Sequence, residues 1–276
     1  MKYANLHLHS TYSDAQFTPE QLVLIGKSLG YRALALTDHE TDGGVKEFAK
    51  IAKRENIDTL AGIEFYGDLG KWDLHIVALD YDMDDPALRA FVKSRIEEYT
   101  EYTRLCVEYG ARIGIITEIT WDDVLATSGS GAWICVDSVI NAYRARHIPV
   151  PTELRPAVFR APEMRALRPA HPTAEEVIRT IRKAGGIAIL AHPHRQTHLV
   201  GELAEMGLNG IEVCHPDLDE ESESLASAAA DAYKLYRSGG TDHTGPMSGC
   251  GGALAIPAFH GITEEEFATI KSRRFG

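Results

Sequence analysis

The 276-residue chain has little of several things that would place it quickly. Its four cysteines, Cys106, Cys135, Cys214 and Cys250, are scattered and never spaced as Cys-x-x-Cys. That excludes a disulfide framework and a thiolate zinc knot. No apolar run approaches the roughly 20 residues that cross a bilayer, and the opening MKYANLHLHS lacks a signal-peptide apolar core. A reducing, cytoplasmic setting is therefore expected, with no membrane partner. Positive charge is scarce: 28 Lys and Arg stand against 40 Asp and Glu, a formal net charge of −12. Long nucleic acid and anionic membrane are gripped through basic surfaces, so neither is expected as a partner. A small anionic substrate stays open, because bound divalent cations would reverse the local field. No repeat, low-complexity tract or heptad pattern is present, and nothing in the chain sets an oligomeric state.

What is present is an alternation of short apolar runs with longer amphipathic stretches, the pattern of βαβ units and a parallel sheet. Strands are expected at YANLHLH from Tyr3, ALALTDH from Ala33, TLAGIEF from Thr59 and LHIVALD from Leu74. Further strands are expected at GIAILAHP from Gly186 and GIEVCHP from Gly210, with a weaker one around Tyr236. Helix starts are marked by capping patterns at Thr18-Pro19-Glu20-Gln21, Thr173-Ala174-Glu175-Glu176 and Thr263-Glu264-Glu265-Glu266. Asp85-Pro86 opens a long helical stretch, and Gly185-Gly186 closes the helix that Thr173 begins. Residues 110–170, rich in Pro, Arg and aromatics, break the alternation. They read as a subdomain inserted into a barrel formed by residues 1–109 and 171–276. Such an insertion serves as a lid or substrate wall, or only packs.

Most of the twelve histidines fall at strand ends. Side chains two apart on a strand share a face, so His7 and His9 project together while Leu6 and Leu8 point away. Asp14 lies on the loop that leaves this strand. Asp38-His39 ends the second strand, Glu64 lies toward the end of the third, and His75 is in the fourth. His192-Pro193-His194 ends the fifth, His215 the sixth, and Asp242-His243 falls where a seventh would end. In α/β folds strand ends converge on one crevice. Burying this many imidazoles and carboxylates together without a cation would leave costly unpaired groups. A shared metal centre is the reading. Asp38 is expected to orient its neighbour by hydrogen bonding. His147, His171, His198 and His260, in loops or in the insertion, read as structural.

These residues resemble the polymerase-and-histidinol-phosphatase (PHP) family of phosphoesterases. The motifs are HLHSTYSD at His7–Asp14, LTDH at Leu36–His39, GIE at Gly62–Glu64, His75, AHPHR at Ala191–Arg195 and GGTDHTG at Gly239–Gly245. The resemblance implies a distorted (β/α)7 TIM-like barrel holding two or three divalent metal ions. It implies His7 and His9 on one metal, with Glu64 bridging to a second held by His75 and His192. Asp14 and His39 would belong to a third, and Asp242 and His243 would close the cluster. Family members often show Asp-x-His at the last motif, whereas here Asp242 and His243 are adjacent and point in different directions; Asp242 is the stronger candidate.

The donor set, without thiolate, suits manganese first, with zinc or iron as alternatives. The expected chemistry is attack on phosphorus by a hydroxide bridging two such ions. Arg195 is a candidate for bidentate phosphate binding, and His194 for substrate contact. His194 or His215 is a candidate to protonate the leaving group. The glycine-rich MSGCGGA from Met247 reads as a loop. The chain is closest to the small-molecule nucleotide and sugar phosphoesterase branch. A nucleoside bisphosphate or related phosphomonoester is the expected substrate. A ribose cyclic phosphate diester or a histidinol-phosphate-type monoester is the alternative. A C–N amidohydrolase would want a bridging lysine in mid-barrel, where no predicted core strand carries one. A silent PHP scaffold would not keep this many ligands.

Overall fold

The computed structural model describes residues 2–243 and 260–273, so Cys250 and the 247–253 loop lie outside the described residues. Seven strands form one sheet in sequential order: β1 Ala4–Asn5, β2 Ala33–Leu36, β3 Asp58–Leu69, β4 Trp72–Leu79, β5 Ile187–Leu190, β6 Gly210–Cys214 and β7 Tyr236–Gly239. Each coincides with an expected strand. The sheet nearly closes on itself, because Leu6 N–H donates to Gly239 O, Asp242 N–H to His7 O and His9 N–H to His243 O. Closure brings the two backbones so close that a Cβ on Gly240 would collide with His7, so only glycine fits there.

One strand departs from the expected parallel pattern. β1–β2–β3 and β5–β6–β7 are parallel runs, but β4 is antiparallel to both β3 and β5. Only Gly70 and Lys71, with Gly70 at φ 60, connect β3 to β4. A parallel crossover needs a dozen or more residues, so two can make only a hairpin.

The helices are α1 Pro19–Ser28, α2 Val45–Arg54, α3 Pro86–Arg112, α4 Trp121–Ala126, α5 Val136–Ala145, α6 Pro162–Arg165, α7 Ala174–Lys183, α8 Val200–Met206, α9 Glu220–Tyr233 and α10 Glu264–Lys271. The capping signals act as expected: Thr18 and Thr263 form reciprocal capping boxes, and Thr173 accepts from Glu176 N–H. Such a cap contributes about 1 kcal/mol. Asp85 accepts from Ala87 and Leu88 N–H at the start of α3. No helix among the described residues is long and apolar enough to cross a membrane.

Apolar residues collect in separate cores. One packs β3–β6 against α3, α7, α8 and α9 through Ile63, Phe65, Leu74, Ile76, Ile178 and Ile211. Full burial of each such side chain contributes about 1.5–3 kcal/mol. The inside of the barrel is filled by small and aliphatic residues, among them Leu6, Ala33, Val77, Leu79 and Ile189. Another core joins the second half of α3, through Tyr99, Tyr102 and Cys106, to Trp133, Val139, Tyr143 and Val158. It therefore lies under α4, α5, α6 and a π-helical turn at Leu154–Phe159. Barrel and inserted segment are thus packed around different cores, spanned by one continuous helix.

Candidate metal centre

The segment that leaves β1 carries His7 and His9 into the barrel mouth, both fully buried. The strand is placed by Asn5, whose amide donates to Thr241 Oγ1 (2.9 Å) and whose oxygen accepts from Thr241 N–H (3.2 Å) and His7 N–H (3.3 Å). The same clamp sets the turn carrying Asp242, which takes a left-handed φ of 48. His192 is left-handed too, at φ 26. Non-glycine residues in this region carry about 1–3 kcal/mol of strain and persist only where their surroundings impose it. Asp38 does not touch His39. It accepts from Ser10 N–H (2.7 Å), Ser10 Oγ (2.6 Å) and Ser13 Oγ (2.6 Å), and so braces the loop that carries Asp14.

Glu64, in mid-β3 and fully buried, is the hub. Its Oε1 lies 3.2 Å from His7 Nε2, 3.0 Å from His75 Nδ1 and 3.2 Å from His192 Nε2. Its Oε2 lies 3.2 Å from His9 Nε2 and 3.1 Å from His39 Nδ1. Asp242 Oδ1 reaches His9 Nε2 at 3.0 Å and His7 Nε2 at 3.6 Å. Asp14 stands 3.4 Å from His9 Nδ1 and 3.9 Å from His39 Nε2. His75 joins from near the start of β4, because that strand runs backwards; the expected all-parallel sheet does not hold there. Four overlapping groups of donor atoms result: His7, His9, Glu64 and Asp242; His39, Glu64 and His75; His9, Asp14 and His39; and His7, Glu212 and His215.

The donor set fits divalent cations on its own chemistry. Two pairs of imidazole nitrogens face each other at 3.1 Å, His7 Nε2 with His9 Nε2 and His75 Nδ1 with His192 Nε2. Neutral imidazoles cannot both offer lone pairs to one another. His9 Nδ1, His39 Nδ1 and Glu64 Oε2 are buried with no hydrogen-bond partner. Such atoms converge on points between them, as metal ligands do.

The electrostatics agree. Burial pushes the His7 pKa down, but Glu64, Glu212 and Asp242 outweigh it and hold the ring well above its ordinary range. His9 is raised in the same way against burial, by Asp14, Asp242 and Glu64. Burial also opposes ionisation of Glu64, yet the surrounding histidines hold it well below the carboxylate range. A field that draws protons this strongly draws a divalent cation too. His39 and His215, by contrast, are pushed down to about 4 by burial and are neutral near pH 7.

One important residue escaped the sequence reading. Glu212, buried in β6, accepts from His7 Nδ1 (3.0 Å) and from His192 N–H (2.7 Å). It thereby fixes the His7 tautomer with its Nε2 lone pair facing the cluster, the usual carboxylate–histidine–metal arrangement. The available signal was a lone acid in the apolar strand GIEVC.

The remaining candidates separate. His215, with no exposure, lies at the cluster: its ring centre is 5.2 Å from that of His192, and its Nε2 is 3.7 Å from Asp242 Oδ2. Its Nδ1 accepts from Asp217 N–H at 3.1 Å. Neither His194 nor Arg195 is brought to the cluster. Both are exposed; His194 Nδ1 is 3.3 Å from Ser222 Oγ, and Arg195 has a φ of 57. Strand alternation ends at Leu190, and the left-handed His192 with Pro193 turns the chain away before them. His243 is not brought in either. It packs against Phe17 at 5.6 Å between ring centres, and among the described residues neither ring nitrogen has a partner. His171, read as structural, stacks on Tyr66 at 4.8 Å; the ring of Tyr66 stacks in turn on His39 at 4.8 Å.

Known proteins are similar to this chain along most of its length. A 3',5'-nucleoside bisphosphate phosphatase of Chromobacterium violaceum is 30% identical over 267 residues, covering 90% of each chain. A phosphoribosyl 1,2-cyclic phosphate 1,2-diphosphodiesterase of Eggerthella lenta is 26% identical, covering 87% of this chain and 94% of that one. The 5'-3' exoribonuclease Rnm of Salmonella typhimurium is 26% identical, covering 88% and 85%. The fold matches a crystal structure described as a putative metal-dependent phosphoesterase from Bifidobacterium adolescentis, with TM-score 0.81, 24% identity and coverage of 99% and 96%. The PHP domain family matches residues 5–146, just over half of the chain and the part that carries His7, His9, Asp14, His39, Glu64 and His75. On the family match and the 30% identity together, the chain belongs to the PHP domain family.

Proposed function

We propose that the protein is a hydrolase of phosphoester bonds that removes phosphate from a small phosphorylated metabolite, with a nucleoside bisphosphate or related monoester as the first choice. The observation that carries this reading is the meeting of five histidines, from β4 and from the segments that follow β1, β2 and β5, on the one carboxylate of Glu64. His7, His9, Glu64 and Asp242 would hold one divalent ion, and His39, Glu64, His75 and His192 a second. Asp14 with His9 and His39 would serve a third. Manganese is the first choice, because the ligands are imidazole and carboxylate without thiolate; zinc and iron follow. Bound there, such ions supply a nucleophile from water near neutral pH and Lewis acidity toward phosphoryl oxygen.

The chain's own groups have defined tasks. Glu212 holds a proton of His7 on Nδ1, so that Nε2 is the nitrogen presented to a cation. His215 holds its proton on Nε2, because Nδ1 is occupied by Asp217 N–H. A ring held this way donates a hydrogen bond to an attacking or phosphoryl oxygen. Giving the proton away altogether would leave an imidazolate, so His215 positions and polarises rather than serving as the acid. In the reaction a water oxygen bonds to phosphorus, the ester P–O bond breaks, and the water's proton ends on the leaving alkoxide. His194 and Arg195 are assigned to the rim, where an extended substrate group would pass them. Residues 110–170 are proposed as the substrate wall.

Similarity to the Eggerthella enzyme supports a second reading, a cyclic phosphodiesterase on the same metals. Similarity to the Salmonella enzyme makes an RNA end the competing substrate, against the net charge of −12. A cytoplasmic setting is proposed with it; among the described residues the thiols of Cys106 and Cys135 are buried and free. The test is hydrolysis of a nucleoside bisphosphate, a cyclic ribose phosphate and a short oligoribonucleotide. Rates should vanish after chelation and return with manganese. Turnover that survives complete metal removal would end the reading.

A further inference from the structure

The loop that follows β1, residues 10–17, carries Asp14 to His9 and His39 and is held from two sides. On the barrel side, Asp38 accepts from Ser10 and Ser13. On the other side, four of its main-chain carbonyls meet donors from the inserted segment. Gly129 N–H donates to Thr11 O at 3.4 Å, and Trp133 N–H to Tyr12 O at 2.9 Å. Ser138 Oγ donates to Ser13 O at 3.5 Å, and Asn141 Nδ2 to Ala15 O at 3.0 Å. Of residues 11–15, every one except Asp14 thus gives its carbonyl to residues 129–141, and Asp14 offers its side chain to the histidines.

The two chains also cross closely. A Cβ on Gly129 would stand 2.4 Å from the Tyr12 ring, whose hydroxyl donates to Glu47 at 3.0 Å. The same segment reaches the turn after β2: Thr41 Oγ1 donates to Gly131 O at 2.7 Å, and the Trp133 ring centre is 5.7 Å from that of His39. Two of the three donors of one group, Asp14 and His39, are therefore backed by residues 129–141. The other groups are braced from the barrel, by Glu212 on His7 and His192 and by β3 beneath Glu64. A loop robbed of its donors shifts to satisfy its carbonyls elsewhere and takes its side chains with it. Metal coordination tolerates errors of only about 0.2 Å in ligand distance.

We propose that residues 129–141 form the outer half of the Asp14 cation position: they hold the loop that presents Asp14, so that docking of this segment and binding of that one ion strengthen each other. The inference rests on the metal-centre reading and goes beyond it, because the inserted segment then acts on the metals as well as forming a wall. Asn141, on α5, is a positioning residue that acts on Asp14 through Ala15 O. Linkage makes the effect reciprocal: what docking adds to the affinity for the ion, the ion adds to docking.

The test titrates manganese into the metal-free full chain, following free Mn2+ by electron paramagnetic resonance. Asp14→Asn identifies the ion concerned as the one it weakens. Asn141→Asp keeps the size of the side chain and the bond from Arg144, but sets an acceptor against Ala15 O. In a variant that keeps the wild-type urea midpoint, that same ion should weaken about tenfold, a usual scale of coupling, while the others stay within about twofold. Adding Asn141→Asp to Asp14→Asn should bring no further loss. The proposal falls if Asp14→Asn weakens no ion, or if Asn141→Asp weakens all ions alike, another ion or none. A second measurement needs no change at Asn141. Hydrogen exchange at the Gly129 and Trp133 amides should slow about fivefold or more as manganese fills the wild type, and should not slow in Asp14→Asn. Manganese binding with unchanged exchange overturns this proposal alone. A chain that binds no manganese takes the metal-centre reading down with it.

Discussion

The barrel mouth and the inserted wall handle anions in opposite ways. At the mouth, six histidines and four acids converge, six of the ten buried and the rest half-buried, with carboxylates that attract cations first. At the wall, arginines stand exposed around an aromatic floor, with charge of their own and no need of a metal. The mouth is held by long-range hydrogen bonds, Asn5 to Thr241 and Glu212 to His7 and His192, so its geometry is set before any ligand arrives. The wall is built on short helices and a π-helical turn. On the proposed function, preorganisation lies where bonds would be broken. A chain of net charge −12 can therefore take an anionic substrate without a basic surface.

Breaking the mouth should have the largest effect. Glu64→Gln removes the carboxylate shared by both proposed cation positions and should lower kcat by roughly 10³-fold, the scale of losing a principal source of transition-state charge stabilisation. Retained turnover would refute the bridging role. Glu212→Gln leaves every proposed ligand in place but frees the His7 ring; metal affinity measured by titration should weaken about 10–100-fold. The Tyr66→Leu variant attacks the boundary, where one ring is sandwiched between His39 and His171. An aromatic pair contributes about 0.5–1.5 kcal/mol, so metal affinity and KM should each change by a few-fold, and together. If only one of them moves, the two regions are not joined through this ring. The smallest effect should come from Thr18→Ala, remote from both regions. It should cost about 1 kcal/mol in urea unfolding through the lost cap of α1 and leave kcat/KM as it was.

How much of this could be read from the sequence follows the same division. Strands announce themselves by apolar runs, and a period of two puts His7 and His9 on one face without further information. The seven strands and the barrel were accordingly legible, as was the gathering of His39, Glu64, His75, His192 and Asp242. The direction of β4 was less so. It hangs on Gly70-Lys71, a hairpin signal read past because the apolar runs on either side look like any other strands. Glu212 was hidden because a single acid in an apolar strand has no periodicity to mark it. His194 and Arg195 drew attention by adjacency to His192, but adjacency outside regular structure does not fix direction. The arginine wall was visible only as composition. Which of those arginines meet depends on how the short helices after Trp121 pack, and exposed polar residues carry no burial pattern to report it.

The reversal of β4 has a geometric price for the rest of the molecule. A strand that runs backwards delivers the chain to the floor of the barrel, the far side from the histidine cluster. The chain returns along α3, whose 27 residues span about 40 Å. Leu88 and Val92 near its beginning pack with the barrel, and Tyr99, Tyr102 and Cys106 further on pack with the insertion. The helix thus acts as a ruler that sets the height of the arginines relative to the histidine cluster. Removing one turn would lower that wall by about 5 Å and rotate it little, a way to retune the reach of the substrate without touching a ligand.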